Sequence, residues 1–221
     1  MKHSSMRAGA QLVVCALLAT AVAAAAGPVS AQTNYIANGD FSQGLNSWVP
    51  FIADPPGPVN TISIVYDVGN PVLQMSVNAL EGSGTDWHVQ TWQTDGALDT
   101  LASNTVYTLS FRAKASVART MRMDLYQWEY DPPVPYRYLG MRVTPTIGTS
   151  WRNYTINFRT EDNMPNYPDA RVKISFAVGQ ALGTVWMDDI RLEAAATKTF
   201  AGTNLQLFSF EPSESLSLIH I

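Results

Sequence analysis

Acid–base chemistry has little to draw on in this chain. Of its three histidines, His3 lies in an N-terminal leader and His220 in the last few residues, so only His88 remains in the body of the sequence. No serine sits in a strand–turn–helix nucleophile motif, and a closed zinc site needs cysteines or several histidines. The carboxylates Asp124, Glu129, Asp131, Glu161 and Asp162 do not pick out the facing pair that a glycosidase uses. The spacing does offer aromatic side chains turned away from a core. In the segment from Met121, one side reads Met121, Met123, Leu125 and the other Arg122, Asp124, Tyr126, Trp128. The segment Asp86 to Thr94 sets Trp87, Val89 and Thr91 against His88, Gln90 and Trp92, so a regular strand there turns only one of the two tryptophans inward. Tyr136 and Tyr138 follow a proline-rich stretch, and Lys173 and Ser175 point outward from the segment that begins at Arg171. Flat rings beside amide, guanidinium and carboxylate groups suit a sugar, which presents C–H faces edged by hydroxyls. A ring that buries about 80 Å² contributes roughly 2 kcal/mol, and each net hydrogen bond about 1 kcal/mol. After the cost of association, two rings and a few hydrogen bonds give dissociation constants of roughly micromolar to millimolar. The same rings could instead pack under loops or against a neighbouring domain.

Strands must position these residues. Leu73, Met75 and Val77; Tyr107, Leu109, Phe111 and Ala113; Leu139, Met141 and Val143; Tyr154, Ile156 and Phe158; and Val172, Ile174, Phe176 and Val178 all repeat with period two. A final strand is expected to carry Trp186, Asp188, Ile190 and Leu192 on one side. No segment sustains apolar spacing at three and four residues. The fold class is therefore all-β, and roughly eight to ten short strands with one apolar face each require a second sheet, giving a two-sheet antiparallel jelly-roll sandwich. The connections Pro50 to Asn60, Glu129 to Tyr136 and Glu161 to Asp169 are rich in Pro, Asp and Asn and belong at sandwich ends or on the rim of a groove.

Residues 1–31 read as a secretory signal peptide: Lys2 and Arg7, an apolar run from Leu12 to Ala26, and the small-residue segment Val29-Ser30-Ala31. The run is shorter than the roughly 20 residues a membrane-spanning helix needs. Cleavage after Ala31 also removes Cys15, the one cysteine of the chain, and starts a secreted protein at Gln32. Residues 32–193 form the expected sandwich. Residues 194–215 read as a linker or as the start of a further module, since Asn204 to Glu211 faintly resembles Asn34 to Phe41. Residues 216–221, Leu-Ser-Leu-Ile-His-Ile, match the in-frame translation of a sequencing-library adapter, CTG TCT CTT ATA CAC ATC, which implies that the native protein continues past Ser215; the alternative is a genuine apolar strand. The chain carries 14 basic against 18 acidic residues, without long runs of one sign. That balance argues against nucleic acid or an anionic membrane as partner.

The opening Asn34-Tyr-Ile-Ala-Asn-Gly-Asp-Phe-Ser-Gln-Gly44, followed by Trp48, resembles that of carbohydrate-binding modules of families 4, 9 and 22. Asp86-Trp-His-Val-Gln90, Tyr107 to Ala115, Trp151-Arg-Asn-Tyr154 and Val185 to Leu192 follow in the order of those modules. The resemblance implies a jelly roll with a concave-sheet groove for β-glucan, xylan or a cellulose-like chain, without catalysis of its own, attached to a glycoside hydrolase in the same chain. It makes Arg122 a groove arginine, with Gln127, Trp128 and Tyr136 near the groove. Some members carry glutamines where this chain has Lys173 and Ala177, which bears on the identity of the sugar. The family also often holds a structural calcium, for which Asp40 and Asp188 stand at the matching positions; each could equally be a carboxylate that accepts backbone hydrogen bonds. The expected site is thus Trp87, His88, Gln90, Trp92, Arg122, Tyr126, Gln127, Trp128 and Tyr136, in a monomeric module that binds polysaccharide. The rival expectations are a structural or adhesive spacer domain of a secreted cell-surface protein and, more remotely, a jelly-roll lyase or hydrolase.

Overall fold

A computed structural model describes residues 32–53, 59–80, 84–94, 96–128, 137–162, 164 and 171–195. Ten of its strands form two five-stranded sheets. The front sheet has the order β1 (Val49–Ile52), β4 (Val89–Gln93), β11 (Arg171–Ala177), β7 (Arg122–Trp128), β8 (Arg137–Val143), and the back sheet β10 (Arg152–Arg159), β5 (Val106–Ala115), β12 (Gly183–Ala194), β3 (Asn70–Val77), β2 (Thr61–Asp67). A small pair, β6 (Arg119–Thr120) and β9 (Thr146–Ile147), completes the described strands. All of these pairings are antiparallel. The all-β jelly-roll sandwich expected from the alternation is the fold observed.

The core lies between the sheets and is filled by the residues that period two assigns to it. Met123, Leu125, Val172, Ile174 and Phe176 of the front sheet pack with Leu73, Met75, Leu109, Phe111 and Ala113 of the back sheet. Two local features depart from the sequence expectation. β1 lies inside the stretch read as a connection. Pro50 masked it, yet β1 sits at the sheet edge, where a residue without a backbone N–H is tolerated. In β12 the register shifts between Asp188 and Arg191, and Asp189 adopts φ +52°. This bulge resets the alternation, so Val185 and Met187 join Ile190 and Leu192 in the core, while Trp186 points to the outer face with Lys114, its cross-strand partner.

The N-terminal segment laces the two sheets together. Tyr35 donates its backbone N–H to the Leu192 carbonyl, the Ile190 N–H donates to Gly39, and the Asn34 side chain accepts from Leu192. The Gln93 side chain makes a two-way amide pair with the backbone of Ala37, both bonds at 2.9 Å. A Cβ at Gly39 would run into the Ile190 carbonyl oxygen, which explains the glycine in Asn-Gly-Asp-Phe. Asn38 and Phe41 lie in the left-handed region, at φ +48° and +53°. Asn38 holds the turn by donating to the Gly44 and Asn46 carbonyls.

Candidate functional site

The outer face of the front sheet carries the side chains that the core excludes. Cross-strand partners share a face, so the registers define its rows. One row runs Val49, Trp92, Ser175, Asp124, Arg142 from β1 to β8. The next on one side is Phe51, Gln90, Ala177, Arg122, and on the other Lys173, Tyr126, Tyr138. Arg122, Asp124 and Tyr126 face away from the core, as the alternation predicts. So do Gln90, Trp92, Lys173 and Ser175.

Aromatic and cationic groups interleave across this face. Phe51 packs on Trp92 with ring centroids 5.5 Å apart and on Trp87 at 6.2 Å. The Lys173 ammonium lies 3.4 Å from the Trp92 centroid and 5.2 Å from that of Tyr126. The Arg142 guanidinium lies 4.5 Å from the Tyr138 ring, which neighbours Tyr126 across the pair. Each such contact contributes about 0.5–2 kcal/mol, with the larger value for desolvated cations. The centre of the face is shielded by this packing: Tyr126 and Lys173 are each 4% exposed. Its margins are open, with Trp87 at 43% exposure and the Arg142 side chain at 54%.

Arg122 is a brace. Its Nη1 reaches both carboxylate oxygens of Asp86, at 2.6 and 2.7 Å, and its Nε lies 2.7 Å from Asp124. This ties β7 to the one-turn 3-10 helix Asp86–His88, which breaks the expected continuous strand and turns Trp87 outward. Neither tryptophan of that segment therefore faces the core. Gly179 lets the turn close: a Cβ there would strike the Thr85 carbonyl oxygen. His88 meets the Trp87 ring edge-on at 4.1 Å.

Burial sets the electrostatics. It pushes the Asp124 carboxyl above the usual carboxylate range, against the opposing pull of Arg122 and Arg142. It also depresses Lys173 to about 8 from an ordinary 10.5. Ser175 Oγ is buried on this face without a hydrogen-bond partner.

Three expected residues need separate comment. Gln127 lies on the inner side of β7, 1% exposed and paired with Val172, so it does not face the groove side. The period that turns Tyr126 outward turns Gln127 inward. Tyr136 and the side chain of Trp128 lie outside the described residues. Sequence reasoning overlooked Phe51, because Pro50 hid β1, and did not number Tyr138, Lys173, Ser175, Asp124 and Arg142 among the site residues. Their alternation already placed Lys173, Ser175 and Asp124 outward.

The two carboxylates nominated for calcium are engaged otherwise. Asp188, 1% exposed, takes the Arg112 guanidinium and the Asn70 amide at 2.7 Å each, and the Asp189 N–H at 2.8 Å. Asp40 is exposed and binds the Ser42 backbone N–H and hydroxyl. Among the described residues no three His, Cys, Asp or Glu side chains gather as metal ligands. Calcium requires about 6–8 oxygens, and the guanidinium already neutralises Asp188, so this pair does not fit a calcium cage.

A family model described as a carbohydrate binding domain matches residues 33–180. No curated protein matches the sequence. Among solved structures, a family 4 carbohydrate-binding module superposes with TM-score 0.55 at 23% identity, covering 72% of this chain and 99% of its own. The second N-terminal cellulose-binding domain of Cellulomonas fimi β-1,4-glucanase C gives TM-score 0.57 at 16% identity, covering 76% and 99%. The CBM22-1 and GH10 modules of Clostridium thermocellum endo-1,4-β-D-xylanase 10B, complexed with xylohexaose, give 0.50 at 10% identity, covering 74% of this chain and 29% of that one. At these identities the structures speak for the fold, whereas the family model spans most of the sandwich. On that match the chain belongs to the carbohydrate binding domain family.

Proposed function

We propose that the module binds a polysaccharide chain without cleaving it, across the outer face of the front sheet, and so brings an appended glycoside hydrolase to its substrate. The observation that carries this reading is the open margin of that face: Trp87 and Arg142 exposed to solvent, with the half-buried Trp92 and Tyr138 beside them, rings and a guanidinium on one face of one sheet, opposite the core. β-Glucan, xylan and cellulose-like chains are the ligand class. Related folds include a cellulose-binding domain and a module solved with xylohexaose, and a chain of linked pyranoses suits a flat strip that crosses several strands.

Affinity electrophoresis against xylan, mixed-linkage glucan, laminarin and soluble cellulose tests the reading. Retardation by at least one polymer is expected, and Trp92→Ala should weaken it at least tenfold with an unchanged circular dichroism spectrum. A spacer domain would leave migration untouched in every gel. Release of reducing ends by the purified chain would contradict the non-catalytic part. Export belongs to the same proposal: N-terminal sequencing of the secreted product should begin at Gln32, whereas retention of the leader would overturn that element.

A further inference from the structure

We infer that Arg122 serves the ligand without touching it: through Asp86 it holds the ring of Trp87 in place, and that ring is a surface on which a sugar stacks. This rests on the binding reading above and narrows it, since it puts a ligand contact at the margin beside β4 and makes Arg122 a positioning residue. Trp87 follows Asp86 on the 3-10 turn between β3 and β4, and it is 43% exposed. Packing fixes only the inner part of such a ring, here against Phe51 at 6.2 Å and against His88, edge-on, at 4.1 Å. The rest of its placement comes from the backbone. Asp86 Oδ1 accepts the Trp87 N–H at 2.8 Å, and the same carboxylate takes Arg122 Nη1 at 2.6 and 2.7 Å.

The contacts run from the inside of the face outward. Asp124, fully buried, lies 2.7 Å from Arg122 Nε and anchors the guanidinium, whose side chain is only 15% exposed. Two protein carboxylates thus face this one cation, and a planar fork that bridges two groups keeps an orientation that a single-point ammonium does not. The turn has no side-chain cap at Thr85. Its other ties are backbone bonds, from the Gly179 N–H to the Asp86 carbonyl at 2.8 Å and from the Ala53 N–H to the His88 carbonyl at 2.9 Å. Those hold the two ends of the turn, and the carboxylate shared by Arg122 and the Trp87 N–H holds its middle. A ring oriented in advance binds with a smaller ordering cost, so the brace raises affinity although no part of it meets the sugar.

The test is a double-mutant cycle read by affinity electrophoresis of the intact protein in gels of xylan, mixed-linkage glucan, laminarin and soluble cellulose. Trp87→Ala is expected to weaken binding about tenfold, and Asp86→Ala and Arg122→Lys about fivefold each. In the Trp87→Ala background the same two substitutions should change affinity by less than about twofold, because the brace has nothing left to hold. Asp86→Ala removes the outer end of the brace and keeps Arg122 beside Asp124, so it decides the matter where circular dichroism shows Arg122→Lys misfolded. With isotope-labelled tryptophan, the ligand-free Asp86→Ala protein should show a shifted Trp87 indole signal while those of Trp151 and Trp186 stay in place; an unmoved Trp87 signal would overturn the inference. Equal losses from Asp86→Ala or Arg122→Lys with and without the Trp87 ring would mean that these side chains meet the sugar directly, and would overturn it too. Full-strength binding by Trp87→Ala would overturn it and leave the binding reading standing. No retardation of the unaltered protein by any polymer would bring down both.

Discussion

Trp92 is held between two neighbours, the ring of Phe51 and the ammonium of Lys173, so its orientation is fixed before any ligand arrives. That lowers the ordering cost of binding. Burial penalises the charge of Lys173. Its depressed value of about 8 means that the folded state disfavours the charged form. Between that value and the ordinary 10.5 the unfolded chain binds more protons, so stability rises with pH across this window, while below it the penalty is constant. Lys173→Met should therefore raise stability at pH 7 by about 1–3 kcal/mol and flatten the pH dependence of the urea midpoint between 8 and 10. A loss of stability in that variant would show that the ammonium holds the face together. Most of these residues were legible from alternation alone, since Arg122, Asp124, Tyr126, Lys173 and Ser175 face as the pattern demands. The role of Arg122 was not, because Asp86 meets it only through the three-dimensional approach of a turn 36 residues away in sequence.

The elements that carry the face are set by a few backbone decisions. Gly39 is one: Gly39→Ala would force the N-terminal segment off β12, costing about 2 kcal/mol or more, read as a fall in the thermal midpoint. The β2–β3 hairpin is another. Val68 occupies φ +52° at its tip, followed by Gly69 at +82°, and is fully exposed. A β-branched residue is poorly suited to the left-handed region that this turn type reserves for Asn-Gly. Val68→Asn should stabilise by about 0.5–1 kcal/mol, measured by chemical denaturation; a destabilisation would mean that the exposed valine makes a contact of its own. The strands with strict period two were readable from sequence to within a residue or two, as Val106–Ala115 illustrates. β1 and the β12 bulge were not. A proline inside an edge strand and an extra residue in a ladder both break the alternation on which such reading depends.

At the scale of the molecule, the motif most telling of kinship is structural. Asn34 to Phe41 joins β12, β4 and the N-terminal turn, and touches the outer face of the front sheet at no described residue. It marks the scaffold, while the outward residues of the front sheet, Lys173 and Ala177 among them, lie apart from it. This is why the family was legible in the sequence and the sugar was not. The lack of fit between Asp188 and calcium follows the same division: Arg112 and Asn70 arrive from β5 and β3 to occupy a carboxylate that sequence position alone marked as free for a metal. Addition of a chelator should accordingly leave the thermal midpoint unchanged, and a drop of several degrees would restore a metal to the account.

The central claim is that ligand lies on the outer face of the front sheet. Titration of a soluble oligosaccharide from whichever polymer retards the protein, followed by amide and indole chemical-shift changes, tests it directly. The account predicts shifts at the Trp92 indole and at amides of β4, β11 and β7, with the indoles of Trp151 and Trp186, both of which lie against Lys114 of the back sheet, unmoved. Shifts concentrated at Trp151 and Trp186, with Trp92 silent, would contradict it.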